Sequence, residues 1–484
     1  MVSTSVVRQA ARSVRTAIGA MVVVLPVFWS MGQLHTWWTP PLDAVVFAVM
    51  LAVGLPRALA AVGAHDLGRA AGALLLGATV AVGCAMLLDH HAWTKAAGVV
   101  LFALGVAAPV WLRRYGPAWR AGGTVAALAF LAVLVHPLPD RTSWAFLGWM
   151  LVAAAVAYAW AAMIHLLAAP PAVPVAAPAQ PSAAGSRRPA ASTSMAAQLA
   201  VAVGAAFAFG QWTDPEHLVW PVLTVLVVHS ANRGRGDVLW KGIERTVGAL
   251  ASTLIATLLA GVLPAGDSRA IVAIFAVLAL GAGLREVSYA YQAACTTAAL
   301  AFLYGYFGQG GAGLLVHRLL GVTAGAVIGI AAAWFVLPVR TIDATRLRIA
   351  ALLATAGDLA TSISAGTPDQ MALDRLAAAD RDLAALTPTL RAARRFGRGP
   401  ARGLDQTVTH ARTLANRVAD VARRTTDRDA SDQAQEEAAG LMRQVGEARR
   451  ALRDRTHLST GTSDDTRREA ECPHASSVRA ARRR

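Results

Sequence analysis

The chain has 484 residues, a formal net charge of +16 and a mean hydropathy of +0.46. Hydrophobic residues make up 55% of it, yet it also contains 45 Lys/Arg and 29 Asp/Glu residues, so the charges must be segregated from long apolar runs. This pattern argues against a soluble Ala-rich helical protein, whose helices would show a polar face at every turn. Three cysteines without CxxC spacing give no disulfide framework and no zinc motif.

The apolar runs predict twelve membrane spans, since a hydrocarbon core of about 30 Å needs roughly 20 apolar residues per helix. The run at 17–29 follows three arginines and is interpreted as the first span, because no small-x-small cleavage site closes it. The predicted spans are 16–34, 43–63, 67–88, 95–112, 119–136, 143–167, 195–212, 217–231, 245–263, 269–284, 287–306 and 314–337.

Changes in composition predict the domain boundaries. Residues 1–167 form a first six-helix transmembrane half, and 195–340 form a second one. Between them, 168–194 is a Pro/Ala-rich linker that we expect to be extended and cytoplasmic. Apolar stripes at helical spacing in 341–458 predict a cytoplasmic helical bundle, and 459–484 is predicted to be a disordered basic tail.

The distribution of Lys and Arg predicts the orientation, because cytoplasmic loops carry an excess of positive residues. It places both termini in the cytoplasm of a plasma-membrane protein. Residues 67–74 and 243–250 share the pattern aliphatic-x-Arg-x-x-Gly-Ala-Leu at the start of the third span of each half, which favours a duplication. The sequence therefore predicts an all-α fold: a polytopic transmembrane helical bundle of two parallel six-helix halves, with a cytoplasmic α-helical tail domain.

No motif for catalysis is found. The chain has no Walker loop, GxSxG elbow or HExxH motif, so we expect no enzyme activity, no catalytic residue, no cofactor and no metal site. The expected partners are a small organic anion and the lipid bilayer. Nucleic acid is not expected, because no aromatic residues are interleaved with the positive charge, and homo-oligomerisation stays open.

Three arginines at the ends of spans are candidates for binding a carboxylate: Arg69, Arg245 and Arg318. Cytoplasmic anchoring explains the first two adequately, whereas Arg318 lies on the predicted outer side, where positive residues are fewer. Gln292 and Thr296 share one face of the eleventh span, where they would line a path or bond a neighbouring helix.

Small residues recur at spacings that favour close helix packing. Gly321, Gly325 and Gly329 lie four residues apart on the last span, and Gly248 begins a similar face on the ninth. Such faces usually let helices approach closely. A functional alternative is that they slide during alternating access.

The second half resembles a known family. Residues 220–227 (Trp-Pro-Val-Leu-Thr-Val-Leu-Val) and then 245–250 (Arg-Thr-Val-Gly-Ala-Leu) resemble the fusaric-acid-resistance and aromatic-acid-exporter family over 195–338. The likeness is weaker over 14–167. The resemblance implies a membrane exporter of organic, often aromatic, carboxylic acids or related toxic compounds. Trp220, as a stacking surface for an aromatic ligand, and Thr224 are substrate-binding candidates. Trp220 as an interfacial anchor is the alternative role for that side chain. The alternative functions are an organic-anion channel resembling malate channels with fused halves, and a non-transporting membrane scaffold.

Overall fold

The computed structural model describes residues 4–60, 62–88, 92–135, 144–168, 190–230, 234–258, 264–285, 288–308, 312–339, 341–366, 370–384, 386–387, 390, 401–427 and 432–471. Within these ranges the fold is all-α and contains no strand. The chain divides into two compact units, Met1–Thr341 and Ile342–Arg484. Most of the predicted linker and residues 472–484 lie outside the described residues.

The first unit contains twelve helices among the described residues. They are α1 (Thr4–Trp38), α2 (Leu42–Leu59), α3 (Leu67–Leu88), α4 (Ala92–Leu112), α5 (Pro117–Val133), α6 (Trp144–Ala168), α7 (Ala191–Thr213), α8 (Val219–His229), α9 (Arg235–Leu258), α10 (Ser268–Leu284), α11 (Tyr289–Tyr306) and α12 (Ala312–Phe335).

Local sequence explains where several of these helices begin. Asp267 accepts a hydrogen bond from the backbone of Arg269 and caps α10, and Ser288 caps α11 through the backbone N–H of Ala290. Helix α5 begins with Pro117, whose missing N–H is harmless in the first turn. It follows Gly116, which has a φ of 127° that side-chain-bearing residues rarely adopt.

Eight helical segments of the described chain are long and apolar enough to cross a membrane. Seven belong to the first unit, and the eighth is Thr345–Ser364 in the second. Three shorter apolar helices, Ala118–Val133, Val219–His229 and Ser268–Leu284, accompany them. Helices α9 and α11 are in neither set, because both carry polar side chains along their length. The prediction of several apolar spans is confirmed, whereas the count of twelve stays a prediction.

Helix pairs among α1–α6 recur among α7–α12. Helix α1 packs against α2 and α6, as α7 does against α8 and α12, and α3 packs against α5 and α6, as α9 does against α11 and α12. The two sets contact each other where α1 packs against α10 and where α4 packs against α7. These two contacts are equivalent, because α7 is the counterpart of α1 and α10 is the counterpart of α4. Each meeting holds an edge-to-face aromatic pair, Phe28 with Phe275 at 5.0 Å and Phe102 with Phe207 at 5.4 Å.

Helix α8 differs from its prediction. The sequence predicts a span over 217–231 with a proline in its interior, but the helix has only 11 residues and begins at Val219. Pro221 therefore lies in the first turn, where the backbone N–H has no helical partner in any case, so it does not interrupt the helix.

The second unit has its own apolar core. Its helices are α13 (Thr341–Ser364), α14 (Gln370–Ala384), α15 (Ala401–Asp427) and α16 (Asp432–Glu471). The stripes predicted from the sequence are buried together, including Leu352, Leu359, Val418 and Leu441. The apolar side of Thr345–Ser364 thus faces this core. Residues 459–484 are predicted to be disordered, and helix α16 continues through the first part of this range to Glu471.

Candidate functional site

Arg318 lies in the interior of the first unit. The residue is on α12 and is only 2% exposed. Its Nη2 donates to the backbone carbonyl of Thr297 on α11 at 2.5 Å. Its guanidinium carbon lies 4.7 Å from the ring centroid of Trp220, which gives a cation–π contact. Its Nε is buried without a hydrogen-bond partner, so the side chain keeps a donor that nothing in the described chain satisfies.

Aromatic rings form one wall beside this guanidinium. Trp220, on α8, is 3% exposed and is therefore not the lipid-facing anchor that was the alternative prediction for it. Its ring centroid lies 5.6 Å from that of Tyr304 on α11. Tyr304 and Thr297 were not among the predicted site residues, although both lie on the helix that carries the candidates Gln292 and Thr296.

A second buried arginine lies in the same region. Arg245, on α9, is 3% exposed, and its Nε also lacks a hydrogen-bond partner. Its charge interacts unfavourably with that of Arg318. Among the described residues, neither arginine forms an ion pair with a carboxylate. Two buried like charges without an acid are costly unless an anion accompanies them. Trp220, Arg245, Thr297, Tyr304 and Arg318 are called the arginine cluster below.

Further buried polar atoms lie on the same helices. Gln292 Oε1, Thr297 Oγ1 and Thr224 Oγ1 have no hydrogen-bond partner in the described chain. Thr296 differs, because its hydroxyl donates to the carbonyl of Gln292 one turn earlier at 2.9 Å. In folded proteins most buried polar side chains are hydrogen-bonded. Unsatisfied groups are concentrated on α8, α9, α11 and α12, which makes this region the candidate site.

Glycines allow the helices of this region to pack closely. A Cβ on Gly325 would meet the backbone oxygen of Pro221 and would lie 2.9 Å from Thr224 Cβ, and one on Gly321 would lie 2.7 Å from Trp220 Cβ. One on Gly329 would lie 3.2 Å from the ring of His229. The predicted glycine face of α12 thus lies directly on α8, and this close approach positions Trp220 under Arg318.

Gly248 makes the corresponding contact between α9 and α11. A Cβ there would lie 2.7 Å from the carbonyl oxygen of Ala290 and 3.0 Å from Ala293 Cβ. Arg245 precedes Gly248 by three residues, so the same close packing brings Arg245 toward α11.

Arg69 is not brought to the cluster. Its side chain is 80% exposed and pairs with Asp66, one turn earlier, at 2.6 Å. Gly72, three residues later, has no atom within 4 Å of where its Cβ would lie, unlike Gly248. The shared Arg-x-x-Gly pattern therefore occupies different environments in α3 and α9.

An apolar cavity of about 250 Å³ lies between α1, α2, α10 and α11. Its lining includes Phe28, Met50, Phe275 and Tyr306 but no charged side chain and no member of the arginine cluster. Both arginines of the cluster are almost fully buried in this conformation, and Tyr304 is half-buried.

Comparison with known proteins covers the second half of the first unit. Residues 201–332 match the family model described as fusaric acid resistance protein-like. This stretch contains every member of the arginine cluster, and it confirms the resemblance predicted from residues 220–227 and 245–250. No curated protein and no solved structure matches the chain.

Proposed function

Because residues 201–332 match the family model described as fusaric acid resistance protein-like and the chain is a multi-pass membrane protein, we propose that it exports organic carboxylic acids, aromatic ones in particular. The observation that carries the proposal is the pair Arg245 and Arg318, buried at 3% and 2% exposure without a carboxylate partner among the described residues. Resistance, in the family's description, favours removal of a toxic compound from the cell.

A bound carboxylate would offset the cost of the two buried charges. Arginine presents a planar fork of donors that meets a carboxylate in a bidentate fashion. The unsatisfied Nε atoms of Arg245 and Arg318 are the donors for this contact. Gln292 and Thr297 supply neutral polar groups for a further substituent of the ligand.

The aromatic preference rests on Trp220 and Tyr304. Their rings lie 5.6 Å apart with planes at 57°, so they present an apolar wall beside Arg318. An aromatic ring joined to a carboxylate would contact this wall while its charge meets the guanidinium.

Movement between two accessible states is required of an exporter. The burial of both arginines, the recurrence of helix pairs between α1–α6 and α7–α12, and the glycine face of α12 support a mechanism in which packed helices slide or rock. The proposal retains two parallel six-helix halves in the plasma membrane, with both termini and the tail unit in the cytoplasm.

The test is a transport measurement in proteoliposomes. Benzoate, cyclohexanecarboxylate and benzyl alcohol have similar size but differ in ring aromaticity and charge. We expect saturable flux of benzoate, weaker flux of cyclohexanecarboxylate and no competition by benzyl alcohol. Unitary currents in a planar bilayer would instead indicate the anion channel, and absence of any carboxylate flux or binding would refute the proposal.

A further inference from the structure

A second polar cluster lies outside the arginine cluster. Asp214 follows α7, and His217 ends the short 3-10 turn Pro215–His217 before α8. His317 lies on α12, one residue before Arg318. His217 Nδ1 lies 3.0 Å from one carboxylate oxygen of Asp214, and His317 Nδ1 lies 2.7 Å from the other. The two imidazole rings stack with centroids 5.1 Å apart and planes at 18°.

The three groups are arranged as metal ligands are. One ligand atom from each of the three residues lies within 4.8 Å of the other two. In a tetrahedral site, zinc bonds of about 2.0–2.2 Å separate neighbouring ligand atoms by about 3.3–3.5 Å. The observed nitrogen-to-oxygen distances of 2.7 and 3.0 Å therefore need only a small outward movement of the side chains to admit an ion.

We propose that Asp214, His217 and His317 bind a divalent transition-metal ion, with Zn²⁺ as the best fit. Two imidazoles and one carboxylate are a usual ligand set for zinc, with a water in the fourth position. Mg²⁺ and Ca²⁺ prefer oxygen ligands and fit less well. The sequence gives no hint of this site, because His317 lies one hundred residues from His217 and only the fold brings them together.

The site is open to solvent. The side chains of Asp214 and His217 are each 25% exposed, and that of His317 is 51% exposed, so an ion reaches them from the surface. The positive side chain of Arg318 points away, toward Thr297 and Trp220.

A bound ion would join two elements of the first unit. It would tie the connection between α7 and α8 to the beginning of α12, next to Arg318. Because the ion binds the folded arrangement, it raises the thermal stability of the protein. This consequence does not depend on what the arginine cluster transports.

Metal binding is measured on the purified full-length protein in detergent, carrying an affinity tag without histidines. Zn²⁺ is titrated against a colorimetric chelator, and Co²⁺ is used as a spectroscopic probe of tetrahedral coordination. We expect one equivalent of Zn²⁺ per chain. His217→Ala and His317→Ala should weaken binding by about tenfold or more, since loss of even an outer partner of a metal ligand has effects of that size.

His65→Ala is the matched control. His65 Nε2 lies 3.1 Å from Asp66, so this pair resembles half of the proposed site but has no third ligand in the described chain. The variant should bind Zn²⁺ as the wild type does. X-ray absorption at the zinc edge of the wild-type protein should show two imidazole ligands, and this holds even where a variant fails to fold. No stoichiometric Zn²⁺ binding, or equal binding by His317→Ala and wild type, would overturn the site and leave the transport proposal untouched.

Discussion

Replacing Arg318 with methionine tests whether the charge of this residue binds a ligand or stabilises the fold. In the described conformation the guanidinium donates to the carbonyl of Thr297, lies over Trp220 and is repelled by Arg245. Methionine has a similar length, keeps the apolar contact with the tryptophan ring and removes the charge. The substitution therefore changes electrostatics more than packing.

The expected effects on stability and on binding have opposite signs. Methionine removes a buried charge that has no carboxylate partner among the described residues, together with its repulsion by Arg245. The ligand-free Arg318→Met protein should therefore melt at the same or a higher temperature than the wild type. Loss of a charge-assisted hydrogen bond to a carboxylate costs about 1.5–3 kcal/mol, which corresponds to about 10- to 150-fold weaker binding.

The assay combines thermal melting with benzoate titration and flux at matched protein levels. Benzoate at about a hundred times its Kd should raise the free energy of unfolding of the wild type by about 2.7 kcal/mol, and at the same concentration this stabilisation should fall to about 0.3–1.4 kcal/mol in Arg318→Met. Arg69→Met is the control, because Arg69 is exposed and paired with Asp66. It should leave benzoate binding unchanged.

One combination of results contradicts this reasoning. If Arg318→Met melts at a clearly lower temperature and binds benzoate with the Kd of the wild type, then Arg318 stabilises α12 against α11 and the anion binds elsewhere. Equal losses of binding in Arg69→Met and Arg318→Met would show that surface charge, not the buried site, attracts the anion.

Three further predictions concern packing, topology and the second unit. Gly325→Val should separate α8 from α12 and lower the amount of folded protein in the membrane, because a Cβ at this position meets the backbone of Pro221. Gly204→Ala is the control and should express normally, because a Cβ there meets no atom within 4 Å. The melting temperatures of the two variants in detergent are compared. A cysteine at Gly310 should react with an impermeant reagent from outside, and labelling only from the cytoplasm would contradict the predicted orientation. A chain ending at Thr341 should retain carboxylate flux, since 342–484 forms a separate compact unit; loss of flux with normal insertion would give the tail a role in transport.

Sequence patterns determined most of the local structure. Apolar runs of about 20 residues can be satisfied in lipid only as helices, because each backbone group must find its partner within the segment. The tail helices were equally determined, since residues such as Leu352, Leu359 and Val418 repeat at helical spacing and are buried together. The family resemblance also followed from local runs that the match over 201–332 confirms.

Tertiary structure decided which of the candidate residues meet. Arg69 and Arg245 share one local pattern, yet Arg69 is exposed beside Asp66 and Arg245 is buried near Arg318. The difference lies in what packs against the following glycine: Ala290 and Ala293 lie close to Gly248, and nothing lies close to Gly72. A sequence pattern specifies a small residue but not the helix that approaches it.

The same reason explains the residues that sequence alone did not select. Tyr304 and Thr297 belong to the arginine cluster only because α11 lies beside α9, which brings them to Trp220 and Arg318. Asp214 and His317 are in contact although they lie 103 residues apart in the sequence, and no spacing rule relates two residues at that distance. Hydrophobic periodicity and composition determine how each helix forms, because the interactions involved act within a few residues. The choice of neighbours depends on contacts between side chains far apart in the sequence, and only the packed fold decides it.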